Sequence, residues 1–187
     1  MANSWGYLKN FPPQMDPWCK EQLGWGTITV LTSPGVYSLT ASYTTNKYYK
    51  ITRNFPSGEY LLIENRRKLG FDAMMPTEGL IIYNIDNNAP GNMNEGYPGQ
   101  SGWPGNGNHY KVAVLQADGS YHLEKGTNKG DAGDLWVNSA SGIGPFSSTA
   151  KYPNTDAYKN GVILGTGISI TNISSAGATM TFTYSFV

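Results

Sequence analysis

The chain is poor in charge, in cysteine and in histidine, and each shortage excludes something. Charged residues make up 14% of the 187 residues, against roughly 25% in an average soluble protein. Lys plus Arg and Asp plus Glu both count 13, so the formal net charge is zero. Nucleic-acid binding needs a basic face that neutralises phosphates. The densest basic run is Arg66-Arg67-Lys68, which reads as a solvated turn. A nucleic-acid partner is therefore not expected.

Cys19 is the only cysteine, so no internal disulfide can form. It reads as a small buried apolar group. No apolar run approaches the roughly 20 residues that a membrane-spanning helix needs, and no membrane span is expected. The first residues, MANSWGYLKN, lack the basic start and apolar stretch of an export signal. Two histidines, His109 and His122, stand thirteen positions apart. They lack the i, i+4 spacing that puts two ligands on one helical face, and both read as ordinary polar residues near strand ends. H-E-x-x-H, G-x-S-x-G and phosphate-binding glycine loops are all missing.

What is present is strand. TITVL (27–31), GVYSLTASY (35–43), KYYKITR (47–53) and EYLLIEN (59–65) are short, β-branched or aromatic, and closed by turn formers. GLIIYNID (79–86) and YKVAVLQA (110–117) read as central strands because their apolar residues run almost uninterrupted. GISITNI (167–173) and ATMTFTYSF (178–186) alternate and are joined by SSAG, a closing hairpin. One helix is expected in MDPWCKEQLG, with Asp16 as cap, Pro17 at the first helical position and Gly24 at the end. The expected fold class is mainly β, an antiparallel β-sandwich-like domain with one short N-terminal helix.

Between the two central strands lies DNNAPGNMNEGYPGQSGWPGNGNHY (86–110), rich in Gly, Asn and Pro. Loops beyond about 12–15 residues are uncommon in compact domains and are usually functional or disordered. Asp86 opens this loop, Glu95 lies inside it, Asp118 ends a strand in QADG, and GDAGD supplies Asp131 and Asp134. Calcium takes about six to eight oxygen ligands from carboxylates and carbonyls. Asp86, Glu95, Asp131 and Asp134 are the candidate calcium ligands, with Asp118 a weaker one. The alternative is that these aspartates make turns with neighbouring glycines. Tyr43, Tyr48, Tyr49, Tyr97, Trp103, Tyr110 and Tyr121 offer either a stacking platform for a glycan or cross-strand packing.

The order MANSWG, PWCKEQLGW, YLLIENRRKLGFDAMMPTEGLIIYNID, NMNEGYPGQSGWPGNGNHYKVAVLQADG, GDAGD and GISITNISSAG resembles the secreted zinc metallopeptidases of the immune inhibitor A type, which are metzincin-related. The resemblance covers essentially the whole chain. It implies that MANSWG is similar to the Met-turn, with Met1 either the Met-turn methionine or an initiator that coincides with it. Residues 1–26 would then end a catalytic-domain-like segment, and 27–187 would be the β-rich post-catalytic domain. The zinc-binding motif would lie upstream, so zinc belongs only to a complete family member and this chain alone is expected to be inactive. The resemblance also implies an extracellular location, with the missing catalytic domain or another copy of the chain as partner. Many relatives have His-Ile-Asp where this chain has Asn84-Ile85-Asp86, and Asn is the poorer metal ligand. The rival function is a non-catalytic extracellular β-module for glycan or surface binding or self-assembly.

Overall fold

The computed structural model describes residues 12–145 and 154–187. Of these, 10% are helical and 33% are strand, the mainly β architecture expected. Met1 lies outside the described residues.

Helix α1 (Pro17–Gln22) forms where its signals stand: Asp16 accepts the Cys19 N–H at 2.9 Å, and Pro17 occupies the first turn. Strands β1 (Thr27–Val30) and β2 (Gly35–Thr40) follow. The segment expected to extend β2 to 43 instead turns into a four-residue helix, α2 (Ser42–Thr45). Its end is set by Asn46 at φ 48°, the left-handed conformation that Asn tolerates. Then come β3 (Lys47–Ile51), β4 (Glu59–Arg66), a 3₁₀ turn (Gly70–Asp72), β5 (Gly79–Asp86) and β6 (Val112–Val114). A third short helix, α3 (His122–Lys125), precedes β7 (Ala157–Lys159), β8 (Val162–Leu164), β9 (Ile168–Thr171) and β10 (Thr179–Phe186). Among the described residues, the one expected helix is thus corrected to three short ones. Helices of one turn come from local turn chemistry and leave no 3.6-residue apolar period to read.

Five strands form one sheet in the order β1-β3-β4-β5-β6, and β2-β10-β9 form a second. All pairs are antiparallel except β1 with β3. β7 and β8 make a separate hairpin that the strand signals alone did not mark. Its turn is Asn160-Gly161 at φ 52° and 77°, the positive pair that a two-residue hairpin turn requires.

Side chains alternate across a strand, and β4 and β5 use both faces. Leu61, Ile63, Leu80 and Ile82 pack with Leu39, Met180, Phe182 and Tyr184 of the second sheet. Tyr60, Leu62, Ile81, Tyr83 and Ile85 face the other way, where Trp18, Ile28 and Leu135 cover them. Every residue of β4 and β5 is buried, which is why Tyr60–Ile63 and Leu80–Tyr83 run apolar without alternation.

Charge is buried beside α1. Lys20 Nζ donates to Gln14 Oε1 at 2.8 Å and Tyr48 Oη at 2.9 Å. Arg66 donates to the Gln14 carbonyl at 2.6 Å, and its Nε lies 3.2 Å from Asp72 and 3.6 Å from Glu64. Glu64 in turn accepts from Ser42 and Tyr83. Residues 14–22 are therefore bound into the outer face of the large sheet. Burial costs these ions several kcal/mol each, and the pairing offsets it.

Candidate functional site

The long loop leaves β5 at Asp86 and returns to β6. Its ends are fastened by the backbone pair Asp86 N–Lys111 O at 2.9 Å and by Lys111 N–Gly91 O at 3.1 Å. The Asn92 side chain imitates a strand, donating to the Val112 carbonyl and accepting the Val112 N–H. Gly96 abuts the Asn108 carbonyl so closely that a Cβ there would overlap it. The strongest fastening is between side chains. His109 Nε2 lies 2.6 Å from Asp86 Oδ2, while Asp86 Oδ1 accepts from the Asn88 N–H at 2.8 Å.

Asp86 thus spends both oxygens inside the protein and is not grouped with the other candidate metal ligands. Burial opposes its charge, but the bonds from His109 and Asn88 outweigh this and hold its carboxyl below the usual range. The Asp86 bond raises His109 above its ordinary value, against the pull of burial. Directly opposite Asp86 in register stands Glu59, 2% exposed. Burial pushes Glu59 up to about 7, although the Tyr158 N–H and Asn84 bond to it.

Of the other candidate calcium ligands, Glu95 is exposed in the loop. Asp118, Asp131 and Asp134 come together at a corner where QADG pairs with GDAGD, through Ala117 N–Asp134 O at 3.2 Å and Asp118 N–Gly133 O at 2.9 Å. Among the described residues, one set of three offers ligand atoms all within 4.8 Å of one another: Asp118, His122 and Asp131. Asp86, Glu95 and Asp134 are outside it. His122 is no strand-end residue but the first residue of α3, and its Nδ1 lies 3.2 Å from Asp131 Oδ2. Asp131 also accepts the Gly133 N–H and the Asn128 amide, and these bonds lower it, the backbone one most. Asp134 is raised, by burial first and by the charges of Asp131 and Asp118 second. Its Oδ2 accepts the Asp131 N–H at 2.7 Å while Oδ1 is buried without a hydrogen bond.

The aromatic residues divide. Tyr48 is buried beside Lys20, Tyr49 packs edge-on to Tyr37 and Phe182, and Tyr43 lies over Gly70. Tyr97, Trp103, Tyr110 and Tyr121 gather instead around the loop, where Tyr97 stacks on Tyr121 at 6.1 Å. Trp103, Tyr110 and Tyr121 line a cavity of about 40 Å³ together with His109, Tyr158, Glu124 and Asn154. That volume takes a few waters and is too small for a sugar ring. Asn154 places a buried Nδ2 without a hydrogen bond at this cavity. Burial raises Glu124, whose carboxylate accepts from Gln116.

No family model, curated protein or solved structure matches this chain.

Sequence reasoning read His109 and His122 as ordinary polar residues and did not single out Glu59 and Glu124. Glu59 and Glu124 sit in segments that read only as strand and connector. His109 carried one usable signal: it and Asp86 bracket the long loop.

Proposed function

We infer that this chain is the β-rich portion that follows the catalytic domain of a secreted zinc metallopeptidase of the immune inhibitor A type. One observation carries the reading: the segments that bear the resemblance are in contact with one another. From KEQLGW, Glu21 accepts from Tyr60 of the YLLIENR segment at 2.8 Å. From LLIENR, Arg66 reaches the carbonyls of Gln14 and Met15, just before PWCKEQLGW. QADG and GDAGD pair through their backbones. A string of motifs that forms one set of contacts belongs to one structural unit. In a complete family member a zinc held by an upstream motif would polarise the scissile carbonyl and activate water, with a glutamate as base. The groove lined by Met15, Trp25 and Phe71 is the surface this reading gives to the preceding domain. Intact mass, N-terminal sequencing and metal analysis of the protein from its native source test it. A longer polypeptide with H-E-x-x-H and bound zinc is expected; a zinc-free native protein of this length overturns it.

A second reading, favoured by the convergence of Asp118, His122 and Asp131, is a divalent-cation site at the QADG–GDAGD corner. The site supports calcium through its carboxylates, whereas the imidazole suits zinc better. Titration calorimetry with each ion separates the two, and absence of heat with both removes the site.

A further inference from the structure

Three parts of the molecule meet at the His109 ring. Asp86 binds it across the mouth of the loop at 2.6 Å. Tyr158, in β7, stacks on it with centroids 5.9 Å apart and planes at 27°. Trp103, from the middle of the same loop, packs on Tyr158 at 5.4 Å. The Tyr158 backbone is in turn held by Glu59, whose two oxygens take its N–H at 2.8 and 3.0 Å. One imidazole thus links the start of the loop, its end and, through Tyr158, its middle. We propose that Asp86 and His109 form a proton-dependent clasp that keeps the 86–110 loop closed over the aromatic cavity and loosens it in mildly alkaline solution. This device rests on the contacts of His109 and is independent of the metallopeptidase reading.

The ionisable groups near the ring are Asp86 on β5, Glu59 on β4 and the Tyr158 phenol on β7, with the neutral Asn84 of β5 donating to Glu59. A protonated ring donates a charge-assisted bond to Asp86, and Glu59, the register partner of Asp86, also attracts its charge. A neutral ring leaves Asp86 and an ionised Glu59 opposed. The directions agree. His109 is raised, so its contribution is complete below the ordinary 6.5 and is lost as pH rises through its higher value in the closed form. Glu59 favours the closed form while it is protonated, a preference that fades between 4.5 and about 7. Asp86 acts at the other end: it is lowered, so its contribution is lost only as pH falls through that lowered value. The clasp is therefore tightest in mildly acidic solution.

Amide hydrogen exchange of the full chain in EGTA, corrected for the intrinsic effect of pH, reads the loop directly. The reporters are Trp103 N–H, bonded to Gln100 O, and Asn106 N–H, bonded to Gly102 O. Between pH 5.5 and 8.5 their protection should fall, by about tenfold or more, as His109 and Glu59 give up the protons that the closed form holds. Amides of β4 should keep theirs. In His109→Gln the loop should be poorly protected at both pH values. With Glu59→Gln present in both proteins to remove its own titration, unchanged loop protection where His109 is kept, or a pH response that survives in His109→Gln, overturns the clasp. Proton spectroscopy of the wild type needs no variant: the loop signals should shift with the midpoint of the His109 ring. A loop that titrates apart from that ring also overturns it.

Discussion

The Tyr158 N–H is shared between the two carboxylate oxygens of Glu59, 99 residues away in sequence, and this contact ties β7 to the end of β4. A buried carboxyl in that role binds its proton more tightly than in the unfolded chain. As pH rises above 4.5 the unfolded chain releases the proton first, so stability falls until about pH 7 is passed. The loss should be on the order of 3 kcal/mol, from about 1.4 kcal/mol for each tenfold change in proton affinity. Glu59→Gln keeps an acceptor and cannot ionise. Urea unfolding should show it close to wild type at pH 5 and more stable at pH 8. Parallel pH profiles for the two proteins would remove Glu59 as their cause.

Arg66 is the cation that neutralises Glu64 and Asp72, both buried under α1. Arg66→Met keeps much of the stem and removes the charge. Two carboxylates are then left without their partner, and stability should drop by about 3–5 kcal/mol. Chemical denaturation at neutral pH measures it. The double variant with Asp72→Asn should recover part of the loss, because one of the stranded charges is gone.

Cys19 is a quiet thiol. Burial, with the Asp16 carboxylate beside it, pushes it up to about 11 from 9.0. Alkylation proceeds through the thiolate, so at pH 8 it should run about 100-fold slower than on an unhindered thiol of the ordinary value. Asp16→Ala should speed the reaction. It should also cost about 1 kcal/mol of stability, because the Cys19 N–H loses its cap.

Thermal melts in millimolar Ca²⁺, in Zn²⁺ and in EGTA examine the corner of Asp118, His122 and Asp131. A cation that binds only the folded chain stabilises it by mass action, by about 2.7 kcal/mol at 100 times its dissociation constant, and so raises the midpoint. Asp131→Asn should abolish the response, whereas Asp86→Asn should leave it intact, since Asp86 is spent on His109. Identical midpoints in all three solutions would leave these aspartates as turn formers.

The purified chain should cleave no casein with or without added zinc. Its histidines are separated, each beside a different aspartate, and no third one exists to complete a zinc set. Zinc-dependent cleavage that a chelator abolishes, absent from a mock preparation, would overturn this.

By itself the sequence determined the elements whose information is local. β5 spans 79–86 as read, β4 and β10 agree to within a residue at either end, and α1 starts at its Asp-Pro signal. Runs of β-branched residues and a capping aspartate act over a few neighbours, so they survive without knowledge of the fold. Where contacts decide, the sequence was silent. The expected strand at 110–117 is only Val112–Val114, because Asp86, Gly91 and Asn92 pair with the residues around its start. The five carboxylates looked equivalent as letters. Tertiary structure gave Asp86 to His109, left Glu95 in solvent, and set Asp118 and Asp131 beside His122. A side chain's proton affinity and its partners depend on burial and on charges within a few ångströms. Those neighbours come from strands as much as 99 residues apart, and only the folded chain brings them together.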